Sequence, residues 1–253
     1  MSIPIDSAWL EGTLLASVRM AVFVCLAPPF NSRAFPAMVK AILSVGLGVA
    51  VSGTVSKDVP AMTDAAFLIA LAEQLLIGAA LGFLVYLIFA AVEAAGSMID
   101  LFGGFQISQA FDPTLSINGA QFARLFQMAA IALMFSSGAY QVVLAGLART
   151  FASLPIGAGF PATITASDVA TEVSGMFVAA VQIAGPLIIV LVLADIGLGL
   201  LTKVAPALNA FSMSYPIKMT LSLVLGGVVF IALPAAIQSM TDSAMRLLGG
   251  GFQ

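Results

Sequence analysis

The sequence predicts an all-α, polytopic membrane protein of about six hydrophobic helical segments arranged as hairpins, some of them kinked. Of its 253 residues, 61% are hydrophobic and only 8% are charged, whereas a soluble domain has roughly 45–50% apolar and about 25% charged residues. Several apolar runs suit helices that cross a bilayer, which takes about 20 residues. A membrane β-barrel would instead show alternating segments of about ten residues.

Charge and cysteine content exclude several classes of function. The net charge of -3 is dispersed and forms no basic stripe, so nucleic acid is not an expected partner. Cys25 is the only cysteine and the chain has no histidine. The ligand sets of zinc, haem and iron–sulfur sites are therefore missing, and we predict no cofactor. A cleaved signal peptide is not expected, because no basic residue precedes the first apolar run and Asp6 and Glu11 do.

The first two hydrophobic segments, Thr13–Ala27 and Ala41–Val55, are short for membrane-spanning helices. We expect them to form a hairpin that packs against other protein, joined by a proline-rich connector. Arg19 lies inside the first segment. A buried cation requires a carboxylate or backbone carbonyls as partners, while a side chain that extends to the membrane surface is the alternative.

Each later segment contains a feature that bears on packing. Gly78 and Gly82 form a G-x-x-x-G spacing that predicts a close approach between helices. Pro186 and Asp195 predict a kinked fifth segment with an acid at depth. The later segments are Ala65–Val92, Leu125–Leu147, Gly175–Leu201 and Met219–Ile237.

The distribution of basic residues favours odd-numbered connections in the cytoplasm and both termini outside. The odd-numbered connections hold Arg33, Lys40, Arg124, Lys203 and Lys218, against Lys57, Arg149 and Arg246 on the other side.

The central stretch Gly96–Pro113 reads GSMIDLFGGFQISQAFDP and suits neither water nor lipid. It is rich in large apolar residues, but Gly103, Gly104 and Pro113 interrupt it and Asp100 is costly in hydrocarbon. Irregular backbone at membrane depth is tolerated where it is buried in protein or lines a pore. We therefore predict a plug-like central loop over residues 96–120 that closes a conduit. A loop that only packs between helices is the alternative.

The order of motifs resembles that of the FliR family, the export-gate proteins of the bacterial flagellum, called SctT in virulence secretion systems. The resemblance covers essentially the whole chain. It rests on the order of Arg19, Pro28, Pro29, Pro36 and Lys40, then Glu73 with Gly78 and Gly82, then AAGSMIDLFGGFQISQAFDP, then LADIGLGLLTKVAPALNAFSMSYPIK.

The resemblance implies a single export-gate membrane domain over residues 1–253, without enzymatic activity. It implies a helical multi-subunit assembly with FliP-like, FliQ-like and FlhB-like subunits in the bacterial inner membrane. There, within the flagellar basal body or secretion apparatus, the chain would help form the entrance and plug of the channel for exported unfolded proteins. A flagellar system is preferred over a virulence system.

The resemblance also places site residues. Ile107, Ala110 and Phe111 stand where family members carry plug-forming apolar residues. Because Ala110 is small, Phe105 or Phe111 is expected to supply the steric part. Met98 flanks the loop and would seal loosely around varied peptides, although core packing is the common role of methionine. The residues expected to act as buried charges or inter-subunit contacts are Arg19, Lys40, Glu73, Asp195, Lys203 and Lys218.

A secondary transporter for small molecules or ions is the alternative function, with Glu73 and Asp195 forming a midplane site beside the kinked fifth segment. It predicts an internal repeat, for which Pro36–Lys40 and Pro216–Lys218 give only a loose echo. An intramembrane enzyme is disfavoured, because no H-E-x-x-H motif and no histidine is present.

Overall fold

A computed structural model describes residues 7–32, 35–55, 62–106, 120–159, 166–204 and 210–248 of the chain. These residues form seven α-helices, and no strand occurs among them, which confirms the all-α prediction. In chain order the helices are α1 (Ser7–Leu26), α2 (Ala37–Val55), α3 (Asp64–Gly103), α4 (Gln121–Ser136), α5 (Ala139–Ser153), α6 (Ala166–Val204) and α7 (Ala210–Leu248).

Four helical segments in the described ranges are long and apolar enough to cross a membrane, or five if α4 and α5 together count as one broken span. The four are Ser7–Leu26, Asp64–Gly103, Ser167–Val204 and Met213–Ile231. The apolar stretch Ala37–Gly53 of α2 is shorter than these four segments. The prediction of about six hydrophobic segments is thus roughly reproduced. Helix α1 begins before the predicted apolar run and has 20 residues, so it is not too short to span.

The chain divides into two compact units. The first consists of Met1–Leu87, Met134–Ala170 and Thr241–Gln253, and the second of Ile88–Leu133 and Thr171–Met240. The single export-gate domain over residues 1–253 stays a prediction.

In the first unit, glycines bring α1 into close contact with its neighbours. A Cβ atom on Gly78 would lie 2.6 Å from the carbonyl oxygen of Arg19, and one on Gly82 would lie 2.9 Å from Cβ of Leu26. Gly48 of α2 packs equally closely on Ser17. The tight helix packing predicted from the G-x-x-x-G spacing is confirmed.

In the second unit, α3 continues as helix through Gly103, so the prediction of irregular backbone from Gly96 onward is wrong for this part. The helix persists because Gly96 lies against the α4 backbone, where a Cβ atom would come within 2.5 Å of Cα of Ala123. Residues 104–106 form a turn, and Gly104 has a positive φ of 82° that favours glycine. Residues 107–119, with Ile107, Ala110 and Phe111, lie outside the described residues.

The fourth predicted segment is divided into α4 and α5 at Ser137 and Gly138. Gly138 has a φ of 73°, which the right-handed helix cannot continue. In Ser136-Ser137-Gly138 the serine hydroxyls compete for backbone hydrogen bonds and the glycine raises the entropy cost of helix formation, so both residue types weaken the helix. The break therefore falls where local chemistry allows it.

We expect Gly96→Ala to lower the free energy of unfolding by about 1–3 kcal/mol, because the new methyl group must push α3 away from α4. Unfolding by sodium dodecyl sulfate in mixed micelles measures the change. Gly46→Ala in α2 is the matched control, since a Cβ atom there meets nothing within 4 Å. Equal tolerance of both substitutions would contradict the close helix contact.

Candidate functional site

Arg19 is fully buried in the first unit, with 0% of its surface exposed. Its Nε donates to Oε1 of Gln74 at 2.7 Å, and Nη2 donates to the carbonyl oxygen of Leu154 at 2.8 Å. Nη1 donates to Oγ1 of Thr150 at 3.3 Å. The guanidinium carbon also lies 4.0 Å from the ring centre of Phe151, within cation–π range. All of these partners are neutral.

The end of α5 supplies the negative potential that compensates this cation. Thr150, Phe151 and Leu154 belong to its last turn or to the residue that follows it, and the carboxyl end of a helix carries a partial negative charge. Thr150 donates its own hydroxyl proton to the carbonyl of Leu147 at 2.6 Å, which leaves the hydroxyl oxygen free to accept from Arg19. Of the partners predicted for Arg19, the structure shows a backbone carbonyl.

Asp100 is the corresponding buried acid in the second unit, also with 0% exposure. Its two oxygens accept hydrogen bonds from the backbone N–H groups of Phe122 at 2.9 Å and Ala123 at 3.0 Å. These groups are at the beginning of α4, where helical N–H groups lack partners within the helix and the dipole is positive. Asp100 thus caps α4 from within α3.

A row of aromatic rings lies next to the hydrogen bonds between Asp100 and the first turn of α4. The ring centres of Phe105 and Phe122 are 5.4 Å apart, those of Phe122 and Phe126 are 6.1 Å apart, and those of Phe126 and Phe230 are 5.0 Å apart. Ser222 of α7 packs against Gly103, where a Cβ atom would lie 2.7 Å from its hydroxyl oxygen. These contacts therefore hold residues 104–106, before the central loop, close to residues 120–123, after it. This pair of anchored ends is called the loop base.

Lys218 and Asp195 form an ion pair of 2.8 Å between α7 and α6. The Lys218 side chain is 11% exposed and that of Asp195 is 45% exposed. The hydroxyl of Ser214 also donates to Asp195, at 3.3 Å. Asp195 thus pairs with a buried cation within this chain, while its own side chain remains half exposed.

The remaining predicted residues are less enclosed. Lys40 is half-buried and donates to the carbonyl oxygen of Asn31 at 3.0 Å. Glu73 is half-buried and forms no ion pair within the described ranges, and Lys203 is exposed. The inter-subunit role assigned to Lys203 stays a prediction. Met98 and Phe105 are half-buried next to the loop base.

The sequence interpretation missed Gln74, Thr150 and Ser222, which are buried polar residues of the two clusters. It recognised the cost of Asp100 but assigned it no partner. No local signal marked this partner, because α4 begins only at Gln121, 21 positions after Asp100, and capping preferences are read within the first turn of a helix. No sequence signal marked Gln74, and the sequence interpretation assigned a role only to the adjacent acid, Glu73.

Comparison with known proteins extends over most of the chain. The sequence profile of a family described as "Bacterial export proteins, family 1" matches residues 10–244. The chain is 31% identical over 245 residues to the flagellar biosynthetic protein FliR of Pectobacterium carotovorum subsp. carotovorum, which covers 95% of this chain and 92% of that protein. FliR of Bacillus subtilis is 28% identical over 242 residues, 93% of each chain. The Yop proteins translocation protein T of Yersinia pestis is 28% identical over 152 residues, which is 59% of this chain and 58% of that protein.

We expect Arg19→Lys to lower the free energy of unfolding by about 1–3 kcal/mol, because one ammonium group cannot reach Gln74, Thr150 and Leu154 together and leaves a buried acceptor unpaired. Unfolding in mixed micelles measures it. Arg149→Lys on the exposed face of α5 is the control and should change stability by less than about 0.5 kcal/mol. Wild-type stability of Arg19→Lys would show that the guanidinium contacts are dispensable.

Asp100→Asn should cost about 1–3 kcal/mol, since the amide presents a donor where one α4 N–H group needs an acceptor. We expect faster hydrogen exchange at Phe122 and Ala123, measured by mass spectrometry. Glu93→Gln, on the exposed side of the same helix, is the matched control. If both variants exchange like the wild-type protein, the carboxylate does not cap α4.

Proposed function

The chain belongs to the family of bacterial export proteins, family 1, and from this premise we propose that it is a subunit of a flagellar or type III protein-export apparatus. The family comprises export-apparatus proteins of flagellar and virulence secretion systems. The family profile matches the chain from residue 10 to residue 244 and is not limited to a single motif. This extent of the match is the observation that carries the proposal.

The architecture agrees with a role inside a membrane assembly. Four or five candidate spans make the chain a membrane-embedded component. Large apolar side chains are exposed along α2, α6 and α7, for example Ile42 at 63%, Ile189 at 62% and Ile231 at 80%. The transporter alternative receives no support from the relatives, whose names refer to flagellar biosynthesis and protein translocation.

We further propose that the central loop is the plug of the export channel and that the subunit has no catalytic role. The support is mechanical: the Asp100 cap and the pair of Phe105 and Phe122 hold the two loop ends on one base, and a blocking segment requires fixed ends. Met98, Phe105, Ile107, Ala110 and Phe111 are the residues assigned to the plug. A ring of apolar side chains blocks ions by excluding water and yields to a passing polypeptide.

In this proposal the assembly lies in the bacterial inner membrane and contains FliP-like, FliQ-like and FlhB-like subunits, with exported unfolded proteins as transient partners. The charges Arg19 and Asp100 act within the chain. Five other charged residues are proposed as contacts with other subunits, because part of each side chain remains exposed in this chain. They are Lys40, Glu73, Asp195, Lys203 and Lys218.

The mass of the native complex tests the function directly. A tagged chain extracted in mild detergent should purify in a large complex that contains other export subunits, with one copy of the tagged chain per complex. Native mass spectrometry gives the stoichiometry. A stable monomer that transports a small solute in vesicles would overturn the proposal in favour of the transporter.

Deletion of Gly104–Phe111 should raise the permeability of the membrane to ions and small molecules, because the apolar barrier is lost. Conductance across planar bilayers that contain the purified complex measures it. The control is a complex with the single substitution Phe105→Tyr, which keeps the ring and should remain closed. An assembled deletion complex with wild-type conductance would remove the plug role.

A further inference from the structure

Helix α6 carries an uncompensated polar side chain at the level where hydrocarbon is expected. The stretch between Glu172 and Asp195 contains no charged residue, and its length of about 20 residues matches the hydrocarbon core. Gln182 lies near the middle of that stretch and is exposed. Its side chain has no hydrogen-bond partner within the described ranges. An amide without a partner in an apolar medium is strongly unfavourable.

A second polar group lies at the same level of the helix. Pro186 is inside α6, one turn after Gln182. Proline has no N–H group, so it cannot donate to the carbonyl of Gln182 four residues earlier. At membrane depth such a freed carbonyl needs a donor from elsewhere. Gln182 thus presents both a side-chain amide and a main-chain acceptor that α6 itself does not satisfy.

The surrounding surface has the form of a helix–helix contact. Val178, Gln182, Gly185 and Ile189 recur at the spacing of one helix face, and Val178 and Ile189 are 55% and 62% exposed. A Cβ atom on Gly185 would meet nothing within 4 Å. Small residues with a polar group between them let helix backbones approach and form hydrogen bonds in membranes, whereas lipid tails supply no donor.

We propose that this surface, the Gln182 face (Val178, Gln182, Gly185 and Ile189), binds a membrane helix of another export subunit that presents hydrogen-bond donors at mid-membrane. The inference rests on the proposed function and names the chemistry of one of its contacts. The partner helix carries an Asn, Gln or Arg side chain, because two acceptors, the amide oxygen and the freed carbonyl, must be served together. The proposed complex contains one copy of this chain, so these donors come from a different subunit.

The first test measures retention of the partner subunits by the tagged full-length chain during detergent dilution. Gln182→Leu should weaken retention of the neighbouring subunit about 3- to 10-fold, the range for one interhelical hydrogen bond, while Gln182→Asn restores part of it. Val181→Leu is the matched control, because Val181 is the adjacent residue and is 52% exposed. Retention of the neighbour by Gln182→Leu that equals the control would overturn the proposal.

The second test identifies the neighbour by position. In a Cys25→Ala background, Gln182→Cys in the assembled complex is coupled to a photoactivatable benzophenone and the cross-linked peptide is sequenced. A peptide from an apolar segment of another subunit, with Asn, Gln or Arg within one turn of the cross-link, supports the proposal. Cross-links only to lipid, only to a second copy of this chain, or labelling of Gln182→Cys by a water-soluble thiol reagent would each overturn it.

The two proposals fail in different ways. If the wild-type chain purifies with other export subunits but Gln182→Leu behaves like the control, the Gln182 face is wrong and the export function stands. If the wild-type chain purifies without any other subunit, the export function itself fails, and the inference fails with it.

Discussion

Among the described residues, each unit of this chain contains one acidic or basic side chain with no exposed surface, and each is stabilised by the end of a helix. Arg19 lies at the carboxyl end of α5, and Asp100 lies at the amino end of α4. Partial charges at helix ends are fixed in direction and need no second ionised group to be desolvated. In a chain with only 8% charged residues, this arrangement avoids burying a further acid or base.

Close helix contacts are what make that stabilisation geometrically possible. Gly78 lies against the backbone of Arg19, and Gly96 lies against Ala123, one of the residues whose N–H group Asp100 accepts. A methyl group at either position would separate the helices that bring donor and acceptor together. The buried charges therefore need the glycines, because only a close helix contact brings each charge to its partners. The packing of the helices depends on both.

The sequence alone predicted the helical fold, the tight contact at Gly78 and Gly82, and the need of Arg19 for a carboxylate or backbone carbonyls, because burial and spacing act locally. Of these two kinds of partner, only the carbonyl is found among the described residues. It did not predict how far α3 extends. Glycine and aspartate in the stretch after Gly96 indicate a loop by their intrinsic preferences, but the α4 backbone satisfies Asp100 and fits against Gly96. Such partners come from distant parts of the chain, and periodicity carries no information about them.

The length of α6 has a consequence for where its charged residues lie. At 39 residues and 1.5 Å per residue, the helix is about 58 Å long, against a hydrocarbon core of about 30 Å. The uncharged stretch between Glu172 and Asp195 matches that core, so roughly half of the helix projects beyond the lipid. The projecting turns carry the acids and the lysine of α6 out of the hydrocarbon, where water or the polar surface of a sister subunit can solvate them.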